Sequence, residues 1–162
     1  MTSDFRLQLS CLEGRVGLMG VGNVELSDDG FGVRLAEQLI WDGAPNVIVA
    51  GTNPERYLWR CDELGFDHLI FLDAVEFGGE PGSVVFLNGE EIEARFAQIS
   101  THKLSLGLLS RCVEANGKTR AWLLGAQPAT LRHSCHLSPS VHETVEVLAE
   151  LLEGHFSAAT SV

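Results

Sequence analysis

The stretch Arg15–Trp41, RVGLMGVGNVELSDDGFGVRLAEQLIW, decides how this chain is built. After Arg15 its first part is apolar and uncharged, the habit of a strand buried on both faces. Gly20 and Gly22 then punctuate the run, followed by Asp28, Asp29 and Gly30. From Phe31 onward Val33, Leu35, Leu39 and Ile40 fall near the i, i+3, i+4 spacing of a helix with one apolar face. A buried strand, a glycine loop and an amphipathic helix form the opening of an α/β unit. Asp28 or Asp29 suits the cap of that helix, because a carboxylate there accepts the orphan N–H groups of the first turn.

The same grammar continues downstream. Asn46–Ala50 (NVIVA) reads as a second strand, GTNP as a turn, and Pro54 as the start of a second helix. His68–Ala74 (HLIFLDA) is a near-continuous apolar run with Asp73 close to its end, which predicts a central parallel strand. EFGGEPG turns the chain into a strand over Ser83–Asn88, antiparallel to the others. Residues 90–98 read as a short acidic helix or turn, and a longer helix is expected from about His102. Thr119–Gln127 reads as the last strand, and Ser138 and Pro139 open the last helix. Upstream, Arg6–Leu12 (RLQLSCL) alternates and predicts a short edge strand. The expected fold is a three-layer αβα sandwich with a mostly parallel twisted sheet of about five strands. It forms one domain over residues 1–162, with its core at about 15–154.

Composition narrows the function. Among 162 residues, 22 are Asp or Glu and 11 are Lys or Arg, a net charge of −11. Such a chain is not expected to bind nucleic acid, whose backbone is held chiefly by lysine and arginine. No apolar run reaches the ~18 residues of a membrane span, and the start lacks a basic region followed by an apolar one. Cys11, Cys61, Cys112 and Cys135 are irregularly spaced, so reduced thiols and a cytoplasmic location are expected. His133, Cys135 and His136 could together catch a soft metal, but a loop or strand end is the simpler reading.

Open parallel sheets place their sites beyond the carboxyl ends of the strands. Three loops qualify: Gly20 to Asp29, Gly51–Asn53, and the one that begins at Asp73. His102, at the start of a later helix, can reach the same rim. A dinucleotide site fails on detail, since Glu25 stands where G-x-G-x-x-G needs its third glycine. There is no G-K-[ST] either. Carboxylate oxygens and an imidazole fit a metal or cation better, which singles out Asp29, Asp73 and His102. Each also has a plainer role: Asp73 could hydrogen-bond a neighbouring loop, and His102 could line a helix start.

The run Gly20–Val33 (GVGNVELSDDGFGV) resembles the N-terminal signature of the hydrogenase maturation endopeptidases. Further landmarks follow in the family's order: Ala50–Pro54 (AGTNP), Leu72–Ala74 (LDA), Glu80–Gly82 (EPG), Ser100–Leu104 (STHKL), Leu124–Pro128 (LGAQP) and Leu137–Val141 (LSPSV). The resemblance implies an enzyme that removes a C-terminal extension from the precursor of a [NiFe]-hydrogenase large subunit. That precursor would be its partner, and nickel would arrive with it, so that the isolated protein could be empty or hold another divalent ion. Carried over by motif position, the nickel contacts fall on Asp29, Asp73 and His102. Asp29 and Asp73 are also the candidate catalytic carboxylates, with Gly22, Asn23, Gly51 and Thr52 against the substrate. Some relatives carry glutamate at the position of Asp29, and others Gly-Gly-Thr where this chain has Gly-Thr-Asn-Pro. The family grouping is aspartic-type, with no nucleophile assignable here, and a monomer is the favoured state. The alternative is a noncatalytic nickel-dependent assembly factor or metallochaperone.

Overall fold

The computed structural model describes residues 2–96 and 105–160, with side chains over 4–96 and 105–156. Apolar runs bounded by glycine and proline become strands, and stretches with one apolar face become helices. In chain order these are α1 (Thr2–Ser10), β1 (Val16–Val21), α2 (Phe31–Trp41), β2 (Val47–Gly51), α3 (Leu58–Leu64) and β3 (His68–Ala74). They continue as β4 (Val84–Asn88), α4 (Gly89–Phe96), α5 (Leu106–Glu114), β5 (Arg120–Ala126) and α6 (Pro139–Thr160). Single 3-10 turns, Ser27–Gly30 and Pro54–Tyr57, lead into α2 and α3.

β3 is central because its five inner residues are buried on both faces. The sheet order is β2-β1-β3-β5-β4, parallel throughout except that β4 runs antiparallel to β5, as the EPG turn predicts. Alternation sends Ile70 and Leu72 to one face, where Leu18, Leu124 and Ala126 join them under α1, α2 and α6. Leu69 and Phe71 point the other way, with Met19, Val21 and Leu123, and are covered by α3, α4 and α5. Helices on both faces of a mostly parallel sheet make the expected three-layer αβα sandwich.

The N-terminal edge strand is corrected. Thr2–Ser10 is helical, so the relevant spacing is i, i+4: Phe5 and Leu9 are buried while Leu7, on the alternating pattern, is 68% exposed. Phe5 meets the ring of Phe86 edge-on at 5.1 Å, and Phe86 in turn stacks on Trp122 at the same distance. Burying two such side chains is worth about 1.5–3 kcal/mol each, which outweighs the weak strand signal of three alternating residues.

This topology fixes where a site can form. The chain leaves β1 for β2 on one side and later places β3 on β1's other side, so the strand order reverses between β1 and β3. A crevice opens at the carboxyl ends of strands flanking such a reversal. Gly22 and Asn23 follow β1 there, and Asp73 lies near the end of β3.

Candidate active site

Close backbone packing brings the first loop onto the end of β3. A methyl group on Gly32, in the first turn of α2, would fall 1.8 Å from the Leu72 carbonyl oxygen and 2.6 Å from that of Val21. Only glycine lets α2 seat this deeply across β1 and β3. Gly22 has φ +134, and a methyl there would lie 1.9 Å from the Asp29 carbonyl oxygen and 3.7 Å from Asp73 Oδ1. Gly22 therefore packs its open side on the Asp29 backbone, with the Asp73 carboxylate the next group beyond it, and any side chain there would push the Ser27–Gly30 turn away. Both aspartates are almost wholly buried, at 4% and 2% exposure.

Asp29 is oriented by the loop that precedes it: the Asn23 N–H donates to its Oδ2 at 2.8 Å. The Asn23 side chain is turned inward on the loop, its Oδ1 accepting the Glu25 N–H at 2.9 Å. Gly51 closes the third side of the crevice. Its carbonyl oxygen accepts the Gly22 N–H at 2.9 Å, its φ is +63, and a methyl there would meet open space. Thr52, next to it, is exposed and accepts a hydrogen bond from Asn53 Nδ2. Gly20, by contrast, faces α2, where a methyl would strike the Gly32 carbonyl oxygen. His102 and the STHKL segment lie outside the described residues.

The expected cap of α2 is also corrected. The N-cap is Gly30, with no side-chain hydrogen bond, because the preceding 3-10 turn feeds directly into the helix. Asp28 turns the other way and is fully buried. Its Oδ2 accepts from the Ala129 N–H (2.8 Å), the Thr130 N–H (3.1 Å) and the Ser138 hydroxyl (2.8 Å). Its Oδ1 accepts the Ser138 N–H at 2.8 Å. Four donors satisfy a buried carboxylate that would otherwise be costly to desolvate. Ser138 thus stands just before α6, as expected, but its hydroxyl serves Asp28. Gln127 is also buried, and nothing in the residue order marks it as more than the end of a strand. Its Oε1 accepts the Phe77 and Gly79 N–H groups, and its Nε2 donates to Glu76 Oε2 at 2.6 Å.

The remaining candidates fall elsewhere. His133, Cys135 and His136 are exposed on the loop between β5 and α6. Among the described residues no three His, Cys, Asp or Glu side chains are grouped so as to hold a metal ion. The four cysteines are free thiols, and burial pushes Cys61 up to about 11, which leaves it unreactive. No helix among the described residues is long and apolar enough to cross a membrane.

The fold and site define an αβα sandwich with two buried aspartates, Asp29 and Asp73, at the switch point of its mostly parallel sheet. Residues 32–155 match the model of the hydrogenase maturation protease family, and the chain belongs to that family. It is 32% identical over 157 residues to the hydrogenase 2 maturation protease of Escherichia coli (strain K12), covering 89% of this chain and 94% of that one. To the hydrogenase 3 maturation protease of the same strain it is 30% identical over 140 residues, covering 85% and 88%. Among solved structures, the [NiFe] hydrogenase maturation protease HycI from Thermococcus kodakarensis KOD1 superposes with a TM-score of 0.78 at 29% identity, covering 88% of this chain and 92% of that one.

Proposed function

We propose that this protein is the endopeptidase that removes the C-terminal extension from a nickel-loaded [NiFe]-hydrogenase large-subunit precursor. The observation that carries the reading is the burial of Asp29 and Asp73, both close to Gly22, at the switch point of a chain of this family. Nickel belongs to the substrate. Asp29 and Asp73 would offer it carboxylate oxygens and His102 a ring nitrogen, a donor set that suits a divalent first-row ion. Bound there, the ion would polarise the scissile carbonyl or activate a water. The chain's own part is to hold the two carboxylates in fixed orientation, one of them serving as general base when the metal does not occupy it. Gly22, Asn23, Gly51 and Thr52 line the approach, where the open face of Gly51 leaves room for an extended peptide to lie close to the backbone. The protein would act in the cytoplasm, as one folded domain and as a monomer.

Incubation with nickel-loaded precursor tests this directly. A single C-terminal shortening is expected, and stable binding without truncation would instead identify an assembly factor. Nickel-free precursor should stay uncut. Asp73→Ala and Asp29→Asn are each expected to lower the processing rate by at least about 100-fold while the far-ultraviolet circular dichroism is unchanged. Unchanged rates would refute the assignment of these carboxylates.

A further inference from the structure

Four sequence landmarks have no part in the site chemistry: the first aspartate of DDG, EPG, LGAQP and LSPSV. In the fold they converge on one hydrogen-bonded frame. Asp28 ties the Ser27–Gly30 turn to Ala129, Thr130 and Ser138 on the β5–α6 connection. The same two segments are joined by backbone bonds, Ser27 N–H to the Ser134 carbonyl at 2.8 Å and Ser134 N–H to the Glu25 carbonyl at 2.9 Å. Gln127, where that connection starts, reaches the other way and holds Glu76, Phe77 and Gly79, the loop that follows Asp73. Backbone bonds between Gly82 and Gln127 and between Gln127 and Ser83 close this second link.

We propose that Asp28 and Gln127 are positioning residues, which fix Asp29 and Asp73 relative to one another by fastening both of their loops to the β5–α6 connection. The inference rests on the proposed processing activity and deepens it. Asp28 is adjacent in sequence to Asp29, so any slip of the Ser27–Gly30 turn moves the Asp29 carboxylate and its hydrogen bond from Asn23. All four partners of Asp28 are donors, so this position needs an acceptor on both oxygens. An amide there would turn an N–H against an N–H. Gln127 instead needs one acceptor and one donor, and its donor faces a carboxylate. Reactivity falls steeply when reacting groups are misplaced by about 1 Å, so buried side chains that touch no substrate can still govern the rate.

The test uses the full chain and follows both turnover of nickel-loaded precursor and the amide resonance of Asn23, whose N–H reports on Asp29. Asp28→Asn is expected to lower kcat by about 100-fold with KM changed less than about threefold, and to shift the Asn23 amide. Val113→Ala, in α5 on the opposite face, lowers Tm without changing kcat or that resonance. Gln127→Glu sets two carboxylates together and lowers kcat, and adding Glu76→Gln restores the donor–acceptor pair and the rate. Should Asp28→Asn fail to fold, Ser138→Ala removes one of the four bonds and gives the same pattern at smaller amplitude. The proposal is overturned if Asp28→Asn (or Ser138→Ala in its place) leaves the Asn23 amide and kcat unmoved. It is equally overturned if Val113→Ala reproduces the loss, or if the double variant is not rescued. A wild-type chain that leaves the precursor uncut refutes the processing activity instead, and the amide shift still decides the frame.

Discussion

Asp28 and Asp29 are chemically identical neighbours that the fold sends in opposite directions. Spacing in the sequence places both on the first loop, and the resemblance selects Asp29, but nothing in the residue order says that Asp28 points away from the crevice to collect four donors. Those donors come from residues about a hundred positions later, and such pairings depend on how the layers close. Gly22 was readable as a glycine that matters, though not for which reason. The structure supplies it: positive φ together with the Asp29 carbonyl and the Asp73 carboxylate on its open side. Gly22→Ala therefore cannot be absorbed by a side-chain movement, since the nearest atom is backbone. It is expected to cost about 2 kcal/mol or more in urea unfolding, and to abolish processing even at temperatures where the variant stays folded. A variant of wild-type stability would show that the Gly22 backbone is not held against the Asp29 carbonyl.

At the level of elements, long and strongly apolar segments are legible in the sequence. Uninterrupted apolar runs mark β3 and β5, and a single apolar stripe marks α2, because burial on two faces or on one writes itself directly into composition. The antiparallel turn into β4 was likewise visible in EFGGEPG. The first element was not, because RLQLSCL satisfies both periods over so short a span. The deciding contact, Phe5 on Phe86, joins the first element to β4. α5 carries a different imperfection. Ser110 is 1% exposed and its hydroxyl has no hydrogen-bond partner among the described residues. A buried hydroxyl without a partner loses its hydration and gains nothing, and alanine also has the higher helix propensity. Ser110→Ala should raise stability by about 0.5–1 kcal/mol, read as an increase in the urea midpoint at unchanged m-value. A decrease would mean that the hydroxyl is satisfied in solution.

Over the whole molecule, strand order was the step that sequence could not supply. The pattern announces a mostly parallel sheet, but the order β2-β1-β3-β5-β4 follows from which crossovers pass over which face, and the crevice exists only because β3 returns to the far side of β1. The same layering partly buries two histidines. His68 starts β3 and accepts the Trp122 indole N–H on Nδ1 at 3.0 Å, and His155 lies near the end of α6. Desolvation is the largest influence on both and holds each below the ordinary value of 6.5. At His68 a backbone hydrogen bond at Glu13 and the charge of Asp67 oppose it, while Arg120 reinforces it. The folded state therefore binds fewer protons than the unfolded chain between the lowered values and 6.5, so stability from this source rises with pH through that window. It is complete above 6.5 and is lost as the pH falls through the folded values. The net charge of −11 acts in the opposite sense, since acidification relieves self-repulsion, so the raw pH profile mixes two slopes. Comparing the wild type with the double variant His68→Gln, His155→Gln separates them. The urea-derived stability of the wild type should fall more steeply from pH 7.5 to 5.0 than that of the variant, in which a glutamine carbonyl at position 68 can still accept from Trp122. Parallel profiles would mean that neither histidine is held neutral by the fold, and that the long-range charge alone sets the response to acid.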